Sequence, residues 1–215
     1  MTTVQSRVTR WEDQSSNHVA AVGSRALPLR VSGAANGHPA IEFSGHASLA
    51  FQLPVNGLSG MTIFLVGSSA QNAPDAAPPF PAALSWSASA FGGATFVAPY
   101  EDSVAFEFGG APDNPVRVVP RTASIGRAFS LTEVVKQGTE ETLAVNGSTA
   151  MSLIGGSSGL DGVAPHARIG ETELPRGRSV CYSGRIAEIL VYDRGLTPAE
   201  RWIVDGYLIQ KYGLR

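Results

Sequence analysis

The apolar residues of this chain come in short runs, each closed by Gly, Pro, Asn or Ser, and only the last segment breaks that rhythm. Punctuation of this kind admits many short strands and leaves no room for long helices. Ala40-Ile41-Glu42-Phe43 reads as one strand, and Ser48-Leu49-Ala50-Phe51-Gln52-Leu53 alternates larger apolar with smaller or polar residues. Met61-Thr62-Ile63-Phe64-Leu65-Val66 is nearly continuous apolar, the pattern of a central strand covered on both faces. Ser103-Val104-Ala105-Phe106-Glu107-Phe108 alternates again, with Val104, Phe106 and Phe108 on one face and Glu107 on the other. Further strands are expected at 115–120, 128–135, 141–145 and 167–170. Asn146-Gly147 between two runs is a hairpin turn, because both residues tolerate positive φ. The segments 71–81 and 155–162 read as loops. Trp86 and Tyr100 flank Phe91-Gly92-Gly93, a turn that would fold their two stretches into a hairpin.

A chain of 215 residues fits one sandwich domain, 1–215, and hides enough surface to fold without staples. Its one cysteine, Cys181, allows no intramolecular disulfide and reads as a small buried hydrophobe. Charged residues are only 16% of the chain and the net charge is -2, which excludes a sequence-independent nucleic-acid binder needing a basic stripe. No apolar run is long enough for a membrane-spanning helix. The opening Met1-Thr2-Thr3-Val4-Gln5-Ser6-Arg7 lacks the apolar stretch of a signal peptide, so the extracellular or particle-surface location expected below needs a signal elsewhere or another delivery route.

Helical signal is confined to the end. Thr197-Pro198-Ala199-Glu200 is a capping box with proline at the first helical position, and Gly213 can terminate the helix. Ala199, Trp202, Ile203, Gly206 and Ile209 fall on one arc, the arc expected to pack on the sheet.

Several segments carry a resemblance. Tyr182-Ser183-Gly184-Arg185-Ile186-Ala187-Glu188-Ile189-Leu190-Val191-Tyr192-Asp193-Arg194-Gly195-Leu196, followed by the capped helix and Lys211-Tyr212-Gly213, resembles the closing segment of bacterial laminin-G-like, concanavalin A-like domains. Trp11-Glu12-Asp13-Gln14-Ser15-Ser16-Asn17 is similar to that family's opening, with Ser16 where the family has glycine. Gly37-His38-Pro39-Ala40-Ile41-Glu42-Phe43-Ser44-Gly45 and Leu143-Ala144-Val145-Asn146-Gly147 resemble two more of its segments, in the right order. The resemblance implies an all-β, two-sheet antiparallel jelly-roll sandwich with one short C-terminal helix. It implies little about activity, because the shared segments are those that build the fold.

Catalytic patterns are absent or misplaced. A glycosidase needs two carboxylates flanking the scissile bond. In Glu101-Asp102-Ser103-Val104-Ala105-Phe106-Glu107, Glu101 and Glu107 share a strand face but Asp102 opposes them. Gly67-Ser68-Ser69 is not followed by the helix of a nucleophile elbow. The histidines His18, His38, His46 and His166 match no zinc spacing. No cofactor is expected. Asp13 and Asn17 are candidate calcium ligands, against the plainer reading that they shape the turn after Trp11.

Glu188 stands among Ile186, Ala187, Ile189 and Leu190, and reads as structural, as do Trp11 and Trp202. Trp86 alternates with Ser85 and Ser87 outside any family segment. An aromatic face beside small hydroxyls suits a sugar platform, with Tyr100 and Asp102 as neighbours; the competing reading is a core tryptophan. The function expected is therefore a non-catalytic module binding a glycan. Two alternatives stay open: a structural or adhesion module of a surface or phage-like particle docking other protein chains, and a glycoside hydrolase or polysaccharide lyase.

Overall fold

The computed structural model describes residues 1–4, 6–74, 80–88, 95–109, 116–121, 128–155 and 159–215. Strands are β1 (Thr2–Val4), β2 (Arg7–Trp11), β3 (Ala21–Gly23), β4 (Leu29–Gly33), β5 (Gly37–Ser44), β6 (Leu49–Gln52) and β7 (Gly60–Ser69). There follow β8 (Leu84–Ala88), β9 (Thr95–Pro99), β10 (Ser103–Glu107), β11 (Arg117–Pro120), β12 (Ser130–Gln137) and β13 (Glu140–Val145). The last are β14 (Ser148–Ile154), β15 (Val163–Ile169), β16 (Glu171–Glu173), β17 (Ser179–Cys181) and β18 (Ser183–Tyr192), with helix α1 (Pro198–Tyr212) after them.

Among the described residues every pairing between these strands is antiparallel, as expected. Hydrogen bonds join most of the strands in one path, β11-β10-β9-β8-β15-β6-β3-β2-β4-β5-β18-β7-β12-β13-β14, with β1 paired to β2 beside it and β16–β17 forming a separate two-stranded sheet. That path doubles back at β2–β4. Leu84, Trp86, Val97 and Phe106 from its first half meet Met61, Ile63, Leu65 and Val134 from its second, and these side chains form one buried core. The all-β sandwich is thus the fold of the chain.

Local chemistry behaves as the sequence dictates at the turns. Asn146 and Gly147 take φ of 49° and 76°, the two positive values that a two-residue hairpin between β13 and β14 requires. The second half carries α1 on its outer face, through Leu208, Tyr212 and Leu214 against Phe64, Val66, Leu131 and Ala187. Thr197 caps the helix by accepting from the Glu200 N–H, the Glu200 carboxylate accepts from the Thr197 N–H in return, and Gly213 ends it at φ 61°.

The face that α1 presents to the sheet differs from the expectation. Trp202 and Ile203 are 78% and 65% exposed, and a Cβ on Gly206 would meet nothing within 4 Å. Of the expected arc Ile209 packs, joined by Leu208, Tyr212 and Val204 and by two polar residues. Arg201 reaches the buried Glu133 at 2.7 Å, and Asp205 lies beside the same carboxylate. Counting apolar residues misplaced the arc because Arg201 and Asp205 sit on the buried side. Trp202 is therefore not a fold-building residue, whereas Trp11 does pack against the core. Cys181 is half-buried rather than enclosed, and burial with nearby Glu171 raises its thiol pKa.

Candidate ligand-binding face

Trp86 and Tyr100 are both fully buried, which corrects the expected sugar platform. Trp86 points into the core between the halves, its indole N–H donating to the Leu53 carbonyl at 2.9 Å and its ring edge-on to Phe51 at 6.2 Å. Tyr100 belongs to a different cluster, with Phe80, Phe96 and Ala98, on the opposite side of the β8–β9 pair. Its hydroxyl donates to the Pro81 carbonyl at 3.0 Å, and burial holds its pKa above the ordinary tyrosine value. The two rings are not neighbours, and neither offers a face to a ligand. The β8–β9 hairpin forms with Trp86 opposite Thr95, while its expected turn at 91–93 lies outside the described residues. Asp102 is exposed, but it accepts from the Ala73 N–H at 3.0 Å and the Ser103 hydroxyl at 3.2 Å, so it organises a loop end.

At the N-terminal end, Asp13 shapes the turn that follows Trp11. Its carboxylate accepts from the Ser15 N–H at 2.8 Å, the Ser15 hydroxyl at 2.7 Å and the Val19 N–H at 3.1 Å. The net effect of these bonds, against burial, lowers its pKa. Asn17 donates its backbone N–H to the Ser15 hydroxyl. Among the described residues no group of three metal-ligating side chains comes together.

Cross-strand register draws a different surface. Arg10 lies opposite Val22, Val22 opposite Ala50, Ala50 opposite Arg168, Arg168 opposite Ser85, Ser85 opposite Phe96 and Phe96 opposite Glu107. Partners directly opposite share a face, so these residues form one row across β2, β3, β6, β15, β8, β9 and β10. Leu49, Leu84, Val97, Phe106, Ala167 and Ile169, which alternate with them, fill the core, so the row lies on the outer face of the first half.

Half of that face is roofed. Phe80 stacks on Phe96 with centroids 6.0 Å apart, Ser85 donates to the Glu171 carbonyl at 2.6 Å, and Thr172 donates to the Phe80 carbonyl. The segment expected as a surface loop, 71–81, thus ends in a buried residue, Phe80, while 75–79 lie outside the described residues. Glu107 sits at the end of the roofed half. Burial, reinforced by the negative charge of Glu141, raises its pKa to about 7. Glu141 itself is buried, with Lys136 and Arg117 each at 3.5 Å.

The other half is open. Val22 is exposed, Ala50 is small, and Gln52 lies opposite His166, both exposed. Arg168 lies beside them, 3.3 Å from Glu173, and Arg10 pairs with Glu12 at the far end. An apolar floor thus runs between planar hydrogen-bonding side chains over four adjacent strands, a width of about 15 Å at the usual strand spacing. This surface is not visible in the sequence because its members are scattered from residue 10 to residue 173, and only register brings them together. A pocket of about 300 Å³ beside Asn36, Phe129, Asn146 and Tyr212 is less suited to a ligand. Its two amides are engaged, Asn36 donating to the Lys211 carbonyl and Asn146 to that of Arg215.

No protein-family model and no curated protein matches the chain. Solved structures do. A botulinum neurotoxin type C structure, from a toxin whose cell entry depends upon interaction with two ganglioside molecules, is 8% identical with a TM-score of 0.56. The match covers 94% of this chain and 45% of that one, so the chain spans less than half the toxin chain's length. Domain 4 of an extracellular arabinanase from Geobacillus stearothermophilus, solved with arabinotriose, is 12% identical with a TM-score of 0.60, over 80% of this chain and 78% of that one. A sialidase carbohydrate-binding module of Ruminococcus gnavus, bound to α2,3-sialyllactose, is 17% identical with a TM-score of 0.58, over 83% and 98%. At these identities the likeness is one of fold, and it places the chain among all-β jelly-roll-like domains.

Proposed function

We propose that the chain is a carbohydrate-binding module that takes an oligosaccharide along the open half of the outer face, over β3, β6 and β15. The observation that carries this reading is the register-built strip in which Val22 and Ala50 form an apolar floor bordered on one side by Gln52, His166 and Arg168 and on the other by Arg10. Sugars present just that division, with C–H faces that rest on apolar surface and hydroxyls that need planar donors and acceptors. The similar folds that carry arabinotriose and sialyllactose support the reading by analogy.

The module acts without catalysis in this proposal. Burial first, and then the charge of Glu141, raise the pKa of Glu107, but the Glu141 carboxylate is itself buried between cations and is closed to a glycosidic bond. A location outside the cell or on a particle surface, where free glycans are met, belongs to the same proposal. A glycan array identifies the ligand, and titration of the hit against Arg168→Ala and Gln52→Ala tests the site. Each substitution is expected to weaken binding about tenfold, the cost of about one or two polar contacts, with the circular dichroism unchanged. Unaltered affinity in both variants would place the ligand elsewhere.

A further inference from the structure

We propose that the outward face of α1 is a self-association surface, through which two copies of the chain pair back to back about a two-fold axis near Gly206. Trp202, Ile203 and Tyr207 are 78%, 65% and 51% exposed, and they stand side by side on the face turned away from the sheet. None of them contributes to the buried clusters of the fold. Scattered exposed hydrophobics need no explanation, but three large ones on adjacent positions of one helix do.

Three observations select a second copy as the occupant. The first is shape. Ala199 and Gly206 lie along the stripe, and a Cβ on Gly206 would meet nothing within 4 Å. A glycine at the crossing point lets two helices approach to the short end of the usual 8–10 Å range, with Trp202 one turn before it and Gln210 one turn after.

The second is charge. Identical surfaces repel if they carry net charge, and the cations bordering this stripe are neutralised within the chain. Arg194 pairs with Glu200 at 2.8 Å, Arg201 with Glu133 at 2.7 Å and Lys211 with Glu188 at 2.9 Å. Antiparallel pairing about Gly206 also opposes the two helix dipoles.

The third is area. The three side chains leave about 400 Å² exposed, roughly half of the ~800 Å² per partner in a standard interface. Ala199, Gln210 and the paired charges at the border supply the remainder, so the dimer is a weak, concentration-dependent one.

Because α1 lies on the outer face of the second half of the fold, such a pair directs its two first-half outer faces away from each other. The inference stands whether or not those faces bind glycans.

The test is the weight-average mass of the whole chain by light scattering or sedimentation, from about 5 to about 300 µM, which spans the dissociation constants of a weak dimer. The expected result is a rise from 22.4 kDa towards twice that value, while Ile203→Glu and Gly206→Arg stay at 22.4 kDa throughout with unchanged circular dichroism. A parent chain that remains at 22.4 kDa overturns the proposal, as do variants that associate like the parent. A monomeric parent whose glycan affinity drops in Trp202→Ala would assign the stripe to a sugar instead, and also overturns it.

Discussion

The Tyr212 hydroxyl donates to the Glu188 carboxylate at 2.8 Å, joining the last turn of α1 to strand β18. The same oxygen accepts from Lys211 at 2.9 Å. Burial first, and then this bond to an anion, hold the tyrosine pKa above its ordinary value. Glu188 can serve α1 because β18 carries a bulge between Ile186 and Glu188. The extra residue, Ala187, reverses the alternation, so Ile186 and Ile189 face the core while Glu188 turns towards the helix. Tyr212→Phe is expected to lower the thermal midpoint by about 3–12 °C, the loss of one hydrogen bond to a charged group. Glu188→Leu, which leaves Lys211 without its counter-charge, is expected to lower it further. Thermal melts followed by circular dichroism measure both.

Trp86→Ala is expected to behave as a core truncation. Removing a fully buried indole leaves a cavity and an unpaired Leu53 carbonyl, a loss of about 3–5 kcal/mol. Chemical denaturation should show the midpoint collapsing. A folded variant of parental stability would contradict the burial described above.

Stability is expected to fall as pH rises from 5 to 8. Asp205, raised to about 7 by burial and by Glu133, and Glu107, raised to about 7 by burial and by Glu141, both bind protons more tightly folded than unfolded. Their contribution is complete below the unfolded pKa, near 4, and is lost as pH passes the folded value. The carboxylates with lowered pKa, Asp13 and Glu200, act in the opposite sense but only below this window. Asp205→Asn should raise the midpoint at pH 8 and flatten its slope between pH 5 and 8. An unchanged slope would show that Asp205 does not titrate there.

Much of the fold was legible because its signals are local. The Asn146-Gly147 turn, the Thr197–Glu200 capping box and the alternation through Val104, Phe106 and Phe108 each depend on a few consecutive residues. The site was not legible, for two physical reasons. Burial of an aromatic cannot be read from its neighbours in sequence: Trp86 beside serines suits either a sugar platform or a core position, and the structure puts Ser85 under the roof and Trp86 inside the core. Trp202 looked structural, yet it faces solvent because the buried arc of α1 is partly polar, at Arg201 and Asp205. Adjacency across strands was also invisible. Gln52 and His166 stand 114 positions apart and become partners only through the β6–β15 register.

The most direct measurement for the central claim is amide chemical-shift mapping of the chain titrated with the glycan an array selects. The largest shifts are expected to cluster at Val22, Ala50, Gln52, His166 and Arg168, along β3, β6 and β15. Shifts confined to α1, to the Asn36–Asn146 pocket or to the Asp13 turn, with β6 and β15 silent, would contradict it.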